Sequence, residues 1–145
     1  MPIFVDTNVL VYRFDTTEPE KQARCEDWLQ WLWTQGTGRL SMQVLQELYA
    51  TLTRKLPRAL NTTEAQTATR ALFAWNPVVV ERSVIEGAWA NQERFSLSWW
   101  DALIVAAAQQ AECTHLLTED LNHNQDIDGV RVIDPMQVEP GALSL

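Results

Sequence analysis

The sequence predicts an α/β domain with a mostly parallel central sheet of about five strands between helical layers. Short β-branched runs alternate with amphipathic stretches along the whole chain, the pattern of strands joined by crossover helices. The length, 145 residues, matches one domain by the usual prior of roughly 100–200 residues, so residues 1–145 are expected to form a single unit. Hydrophobic residues make up 46% and charged residues 21%, which sets aside disordered, collagenous and repeat architectures.

The elements follow in order. Residues 3–5 (IFV) form a short strand that ends at Asp6. Residues 18–35 form a helix, with Thr17 and Glu20 at capping-box spacing, Pro19 in the first turn, and Cys25, Trp28, Leu29 and Leu32 as its core stripe. Gly36 and Gly38 end it, and residues 39–42 form a second strand. Val44, Leu45, Leu48, Tyr49, Leu52 and Leu56 mark the next helix, closed by Pro57. Thr63 with Gln66 opens a helix to about residue 75, and residues 78–80 form a strand. Ser83 with Glu86 opens a helix to about residue 95, and Ser98 caps another over residues 99–112. Residues 115–118 and 130–133 are the last strands, with a polar loop between them.

Charge and cysteine content narrow the function. Eleven Lys and Arg against nineteen Asp and Glu give a net charge of -8, which argues against holding nucleic acid by bulk positive charge. Residues 1–72 carry eight acids and eight bases, whereas residues 73–145 carry eleven acids and three bases, so the net charge lies in the second half. Cys25 and Cys113 are too few for a disulfide framework and read as buried thiols in a reducing compartment. Asp6 interrupts what would be the apolar core of a signal peptide. The longest apolar run, residues 102–108, falls far short of the ~18 residues of a membrane span. A cytoplasmic protein with no membrane partner is expected.

In parallel sheets, sites form beyond the carboxyl ends of the strands. Four acids belong there: Asp6 after the first strand, Glu47 near the start of the helix after the second, Asp101 in the first turn after Ser98, and Asp120 after the strand at 115–118. Two like charges ~4 Å apart repel by about 4 kcal/mol at an effective dielectric of 20, a cost that a divalent cation would remove. Oxygen ligands suit Mg²⁺ or Mn²⁺. Each acid also has an ordinary reading: Asp6 as a helix cap, Asp101 as a partner of the helix dipole, Glu47 as a solvated acid, Asp120 as a turn residue. No single residue decides between them.

The segments FVDTNVL, SMQVLQELYATLTRK, SWWDALIVAAA and LLTEDLNHNQDIDGVRVIDP, in this order, resemble the PIN-domain family, most of all its VapC-type toxins. The resemblance spans nearly the whole chain and implies a PIN-like fold. It implies that Asp6, Glu47, Asp101 and Asp120 bind Mg²⁺ or Mn²⁺ and support metal-dependent cleavage of RNA, with Asp6 and Asp101 as the primary ligands. Glu47 and Asp120 would act as secondary ligands or through water, and Asn8 and Thr118 would support them. Asp120 is preferred over Glu119 because two-residue alternation keeps it on the side of Thr118. By the same resemblance the partners are a second copy of the chain, forming a homodimer, and a small antitoxin that blocks the site.

Other features fit around this reading. The loop from Asp120 mimics a calcium loop through Asn122, Asn124, Asp126 and Asp128, but Gln125 and Arg131 occupy its two demanding positions. Asn124 stands where many similar sequences have glycine, and asparagine tolerates the left-handed backbone of such a turn. Arg54, Lys55 and Arg58 form the densest basic group and are candidates for RNA phosphate contacts, and Trp99 or Trp100 could stack on a base. Trp31 and Trp33 flank a core stripe and read either as part of a wide buried face or as interface anchors. His115 and His123 are the only histidines available to a metal-free acid–base mechanism. A phosphatase using Asp6 as nucleophile lacks the second acid two residues on, where Asn8 stands. The alternative from another class is a catalytically inactive PIN-like protein-binding module.

Overall fold

The computed structural model describes residues 1–143. Five strands, β1 (Ile3–Val5), β2 (Gly38–Arg39), β3 (His115–Leu117), β4 (Asp126–Ile127) and β5 (Val130–Ile133), form one sheet in the order β2-β1-β3-β5-β4. β1 runs parallel to β2 and β3, and β3 parallel to β5, while β4 returns antiparallel on β5. The α/β reading with a mostly parallel sheet is correct. Ile3, Phe4, Val5, Leu116 and Leu117 are fully buried, as parallel strands covered on both faces should be.

Among the described residues, six α-helices surround the sheet: α1 (Thr7–Tyr12), α2 (Pro19–Gln35), α3 (Met42–Arg54), α4 (Thr62–Ala71), α5 (Arg82–Phe95) and α6 (Trp99–Gln110). A 3₁₀ turn at Leu72–Trp75 extends α4. α1 packs against α2 and α3, α3 against α4, and α6 against α5, β3 and β5. The apolar run Ala102–Ala108 is buried without interruption, so it is the core helix of the domain. Among the described residues no helix is long and apolar enough to cross a membrane.

The fifth strand differs from expectation. Val78 makes one parallel bridge to Ser41, held by Met42 N–H to Val78 O at 2.8 Å and Val78 N–H to Leu40 O at 2.9 Å, and pairing stops there. Val79 turns out to solvent and α5 begins after Glu81, leaving no length for a ladder. The fifth strand is instead β4, inside the loop read as polar. Asp128 at φ 51° and Gly129 at φ 95° turn that loop back as a tight hairpin, and Arg131 closes it on Asp126 at 3.5 Å. Asn124 takes the left-handed backbone its side chain permits, at φ 67°.

Three helix starts also differ. Thr17 does not cap α2: its N–H and hydroxyl both turn back to Asp15, at 3.0 and 2.6 Å, and the N-cap is Glu18. The capping box of α4 is Asn61 with Glu64, two residues before the Thr63–Gln66 pair. Ser83 lies inside α5, which starts at Arg82 without a side-chain cap. Ser98 caps α6, its Oγ accepting from Asp101 N–H at 3.2 Å. Cys25 and Cys113 are free and buried, and burial pushes both thiols up to about 12.

One contact in the sheet makes a stability prediction. A Cβ on Gly38 would meet the Trp75 ring at 2.7 Å, inside van der Waals contact. Trp75 is buried and also rests against Trp33, so it has little room to yield. Gly38→Ala is expected to lower unfolding free energy by about 1–3 kcal/mol through overpacking. Denaturant unfolding with a midpoint equal to that of the wild type would contradict this.

Candidate active site

Strand register builds the centre of the site. β1 and β3 are adjacent and parallel with Val5 opposite Leu117, so the next residues, Asp6 and Thr118, leave the sheet side by side. Thr118 Oγ1 donates to Asp6 Oδ2 at 2.9 Å. Asp6 also caps α1, its Oδ1 accepting from Thr7 N–H at 2.7 Å. The helix-cap reading of Asp6 is therefore true, and the cap takes one carboxylate oxygen while the other meets Thr118.

Asn8 joins the group from the first turn of α1. Its Nδ2 lies 3.0 Å from Thr118 Oγ1, 3.1 Å from Asp120 Oδ2 and 3.4 Å from Asp6 Oδ2. The Thr118 hydroxyl is fully used: it donates to Asp6 and accepts from Asn8 and from Asp120 N–H at 3.1 Å. Thr118 is completely buried, and its bond to Asp6 is buried with it, while those from Asn8 and Asp120 N–H are partly buried.

Glu47 reaches the same end from α3. Its Oε2 accepts from Thr7 Oγ1 at 2.8 Å and its Oε1 from Gln43 Nε2 at 3.1 Å, so it is a partly buried, bonded acid. Asp101 stands in the first turn of α6, half-buried, where the helix N-terminus favours negative charge. Thr7 and Gln43 went unnoticed in the sequence. Gln43 had a usable signal, since it lies one helical turn before Glu47.

The electrostatics tie the four acids together. Burial raises the Asp6 carboxyl to about 7, Thr118 and Thr7 oppose the rise, and the charges of Asp120 and Glu47 add to it. Burial also raises Asp101, Ser98 opposes, and again Asp120 and Glu47 add. Among the described residues no Lys or Arg forms an ion pair with any of the four. Also among them, no three His, Cys, Asp or Glu side chains converge on one metal-sized position. The hydrogen bonds just described hold the oxygens of Asp6 and Glu47 toward the protein. By donor chemistry the residues fit a hard divalent cation: the donors are oxygens, and among the described residues their negative charge has no cationic partner.

The remaining candidates separate from this cluster. Glu119 turns away and bonds to Tyr12 and Lys21. Asp126 binds Gly129 N–H and Arg131, and Asp128 pairs with Arg94 at 3.3 Å. Arg54, Lys55 and Arg58 are exposed at and beyond the end of α3. Trp100 is exposed beside Asp101, while Trp99 is half-buried against Trp89 at 6.5 Å. His115 bonds to Thr114, and His123 Nδ1 accepts from Asp134 N–H at 3.0 Å. Neither histidine is hydrogen-bonded to the four acids.

A family model described as PIN domain matches residues 3–126. No curated protein matches the chain. Among solved structures, a toxin–antitoxin complex from Klebsiella pneumoniae is similar with a TM-score of 0.64 and 21% identity, covering 93% of this chain and 98% of that one. VapBC2 from Rickettsia felis, bound to a DNA fragment from its promoter, is similar with a TM-score of 0.65 and 16% identity, covering 91% and 97%. VapC20 from Mycobacterium tuberculosis, described as a sarcin-ricin loop cleaving toxin, is similar with a TM-score of 0.54 and 20% identity, covering 79% and 86%. At these identities the structures share the fold with this chain.

Proposed function

Since the chain belongs to the PIN-domain family, we propose that it is a metal-dependent endoribonuclease and the toxin of a toxin–antitoxin pair. It acts in the cytoplasm as a single PIN domain over residues 1–145, forms a homodimer, and is blocked by a small antitoxin protein. The observation that carries the reading is Asp6, a buried acid bonded to Thr118 with the charges of Asp120 and Glu47 near it and, among the described residues, no cationic partner. Such an arrangement is costly unless a cation occupies it in the working state. The descriptions of two structural neighbours, a toxin–antitoxin complex and a sarcin-ricin loop cleaving toxin, support the choice of partner and substrate.

Asp6 and Asp101 are the primary ligands for Mg²⁺ or Mn²⁺, and Glu47 and Asp120 are secondary or act through water. A bound divalent ion supplies Lewis acidity at the scissile phosphate and lowers the pKa of water. The residues of the chain do the rest. Thr118 fixes the Asp6 carboxylate, Asn8 holds Asp120 next to it, and Thr7 and Gln43 aim Glu47. Arg54, Lys55 and Arg58 contact RNA phosphates, so an acidic protein meets its substrate through a local basic group and the cation.

Thr118→Val tests the positioning. It keeps the shape but removes one donor and two acceptor sites inside a buried network. Cleavage is expected to fall about 10–100-fold, as when a group supporting metal ligands is lost. Stability is expected to fall by about 1–3 kcal/mol through unsatisfied partners, and Thr118→Ser should recover most of both. Initial rates and denaturant midpoints check this.

The experiment for the reading as a whole incubates the purified chain with single-stranded RNA in Mg²⁺, in Mn²⁺ and in EDTA. Cleavage with either ion and none in EDTA is expected. Intact RNA under all three conditions would contradict it and favour the non-catalytic binding module.

A further inference from the structure

Two acids stand next to each other at the end of β3, and the structure treats them oppositely. Asp120 is drawn to Asn8 at 3.1 Å. Glu119 is drawn the other way: Tyr12 OH donates to its Oε1, and Lys21 Nζ donates to its Oε2 at 3.3 Å. Lys21 Nζ also donates to the Tyr12 oxygen at 3.2 Å and lies 5.1 Å from the centre of its ring. These three side chains form a closed ring of contacts between α1, α2 and the segment after β3.

That segment is gripped from both sides. Glu119 N–H donates to Asn8 Oδ1 at 3.4 Å, and Thr118 N–H donates to Ile133 O at 3.0 Å. The same Asn8 side chain holds Asp120 and Thr118 through its Nδ2. The orientation of Asp120 is thus linked through one residue of backbone to the anchoring of Glu119. Tyr12 keeps its proton, its hydroxyl raised by burial first and then by the bond to Glu119, so it remains the donor. None of the three side chains is hydrogen-bonded to Asp6, Glu47 or Asp101.

We propose that Tyr12 and Lys21 are positioning residues that hold Glu119 out of the carboxylate site, fix Asp120 within it, and thereby set the affinity of the site for its divalent cation. The inference rests on the metal-site reading given above. It assigns a use to a Lys–Tyr–Glu group that the proposed chemistry leaves idle, and it explains how two neighbouring acids are kept in different roles.

The test is Mn²⁺ binding to the RNA-free protein by titration calorimetry, with melting curves recorded in EDTA. Tyr12→Phe leaves the net charge unchanged, so it isolates the hydrogen bond. Lys21→Gln separates positioning from bare electrostatics: loss of a positive charge alone would tighten cation binding, whereas loss of the anchor weakens it. Tyr12→Phe and Lys21→Gln are each expected to weaken Mn²⁺ binding about 10-fold or more, within the usual 10–100-fold for supporting groups. Lys21→Arg, which keeps charge and donor, should bind much as the wild type does. Wild-type affinity in folded Tyr12→Phe, or tighter binding in Lys21→Gln, would overturn the proposal and leave the metal site intact. A wild-type protein that binds no Mn²⁺ would overturn the metal site itself, and the proposal with it. If Tyr12→Phe does not fold, the opposite signs expected for Lys21→Gln decide the question alone.

Discussion

Asp6→Asn is expected to abolish most RNA cleavage and to gain stability relative to the wild type as pH rises. The loss of activity follows from the place of Asp6 between β1 and α1, where one oxygen caps the helix and the other meets Thr118. Asparagine preserves the cap but removes the charge that would hold a cation, and it sets an Nδ2 donor against the Thr118 hydroxyl that now donates to Oδ2, a cost that does not depend on pH. The several kcal/mol of transition-state stabilisation that a metal supplies correspond to a rate loss on the order of 10³-fold.

The gain in stability follows from proton linkage. The Asp6 carboxyl lies at about 7 in the folded chain, against 3.8 for the ordinary group. Between those values the folded form keeps its proton and the unfolded form has released it, so stability falls as pH rises through the window and levels off above it. A shift of roughly three units corresponds to a ceiling of about 4 kcal/mol. Unfolding in EDTA, compared between wild type and Asp6→Asn from pH 4 to pH 8, should show the variant gaining stability over the wild type as pH rises, by up to that ceiling. A difference independent of pH would contradict the assignment.

Asp101→Asn is expected to lose activity to a similar degree, on the order of 10³-fold, with little change in stability. Asp101 is only half-buried, and the cap of α6 is the Ser98 hydroxyl bonded to the Asp101 backbone N–H, which the substitution leaves untouched. The favourable meeting of its charge with the helix N-terminus is worth about 0.3–1 kcal/mol, and its lost burial cost offsets part of that. The two substitutions therefore separate catalysis from folding: both silence cleavage, while only Asp6→Asn changes how stability depends on pH. Cleavage rates and unfolding curves of the two purified variants provide the comparison. Unchanged cleavage in folded Asp101→Asn would remove it from the site.

Much of this was legible in the sequence because it follows from local chemistry. β-branched runs bounded by turn residues located β1, β3 and β5, the 3.6-residue period located α2 and α3, and the Ser98 cap located α6. Thr118 and Asp6 could be brought together because parallel strands deliver their next residues to the same edge. What failed depends on competition between neighbours. Thr17, Thr63 and Ser83 carried the capping pattern, but Asp15 took the Thr17 hydroxyl and Asn61 capped α4 two residues earlier. The strand at 78–80 shrank to one bridge, and β4 escaped notice because two residues of strand carry no period. The contacts of Glu119 with Tyr12 and Lys21 join residues more than ninety positions apart, beyond any spacing argument.

The chemistry of the product ends tests the central claim most directly. A site that activates water against the phosphodiester leaves 5′-phosphate and 3′-hydroxyl ends, and does so only while a divalent ion is present. Mapping the ends of RNA cut by the wild-type chain in Mg²⁺, with a parallel reaction in EDTA, should give those ends in the first and intact RNA in the second. A 2′,3′-cyclic phosphate, or cleavage that persists in EDTA, would contradict the account.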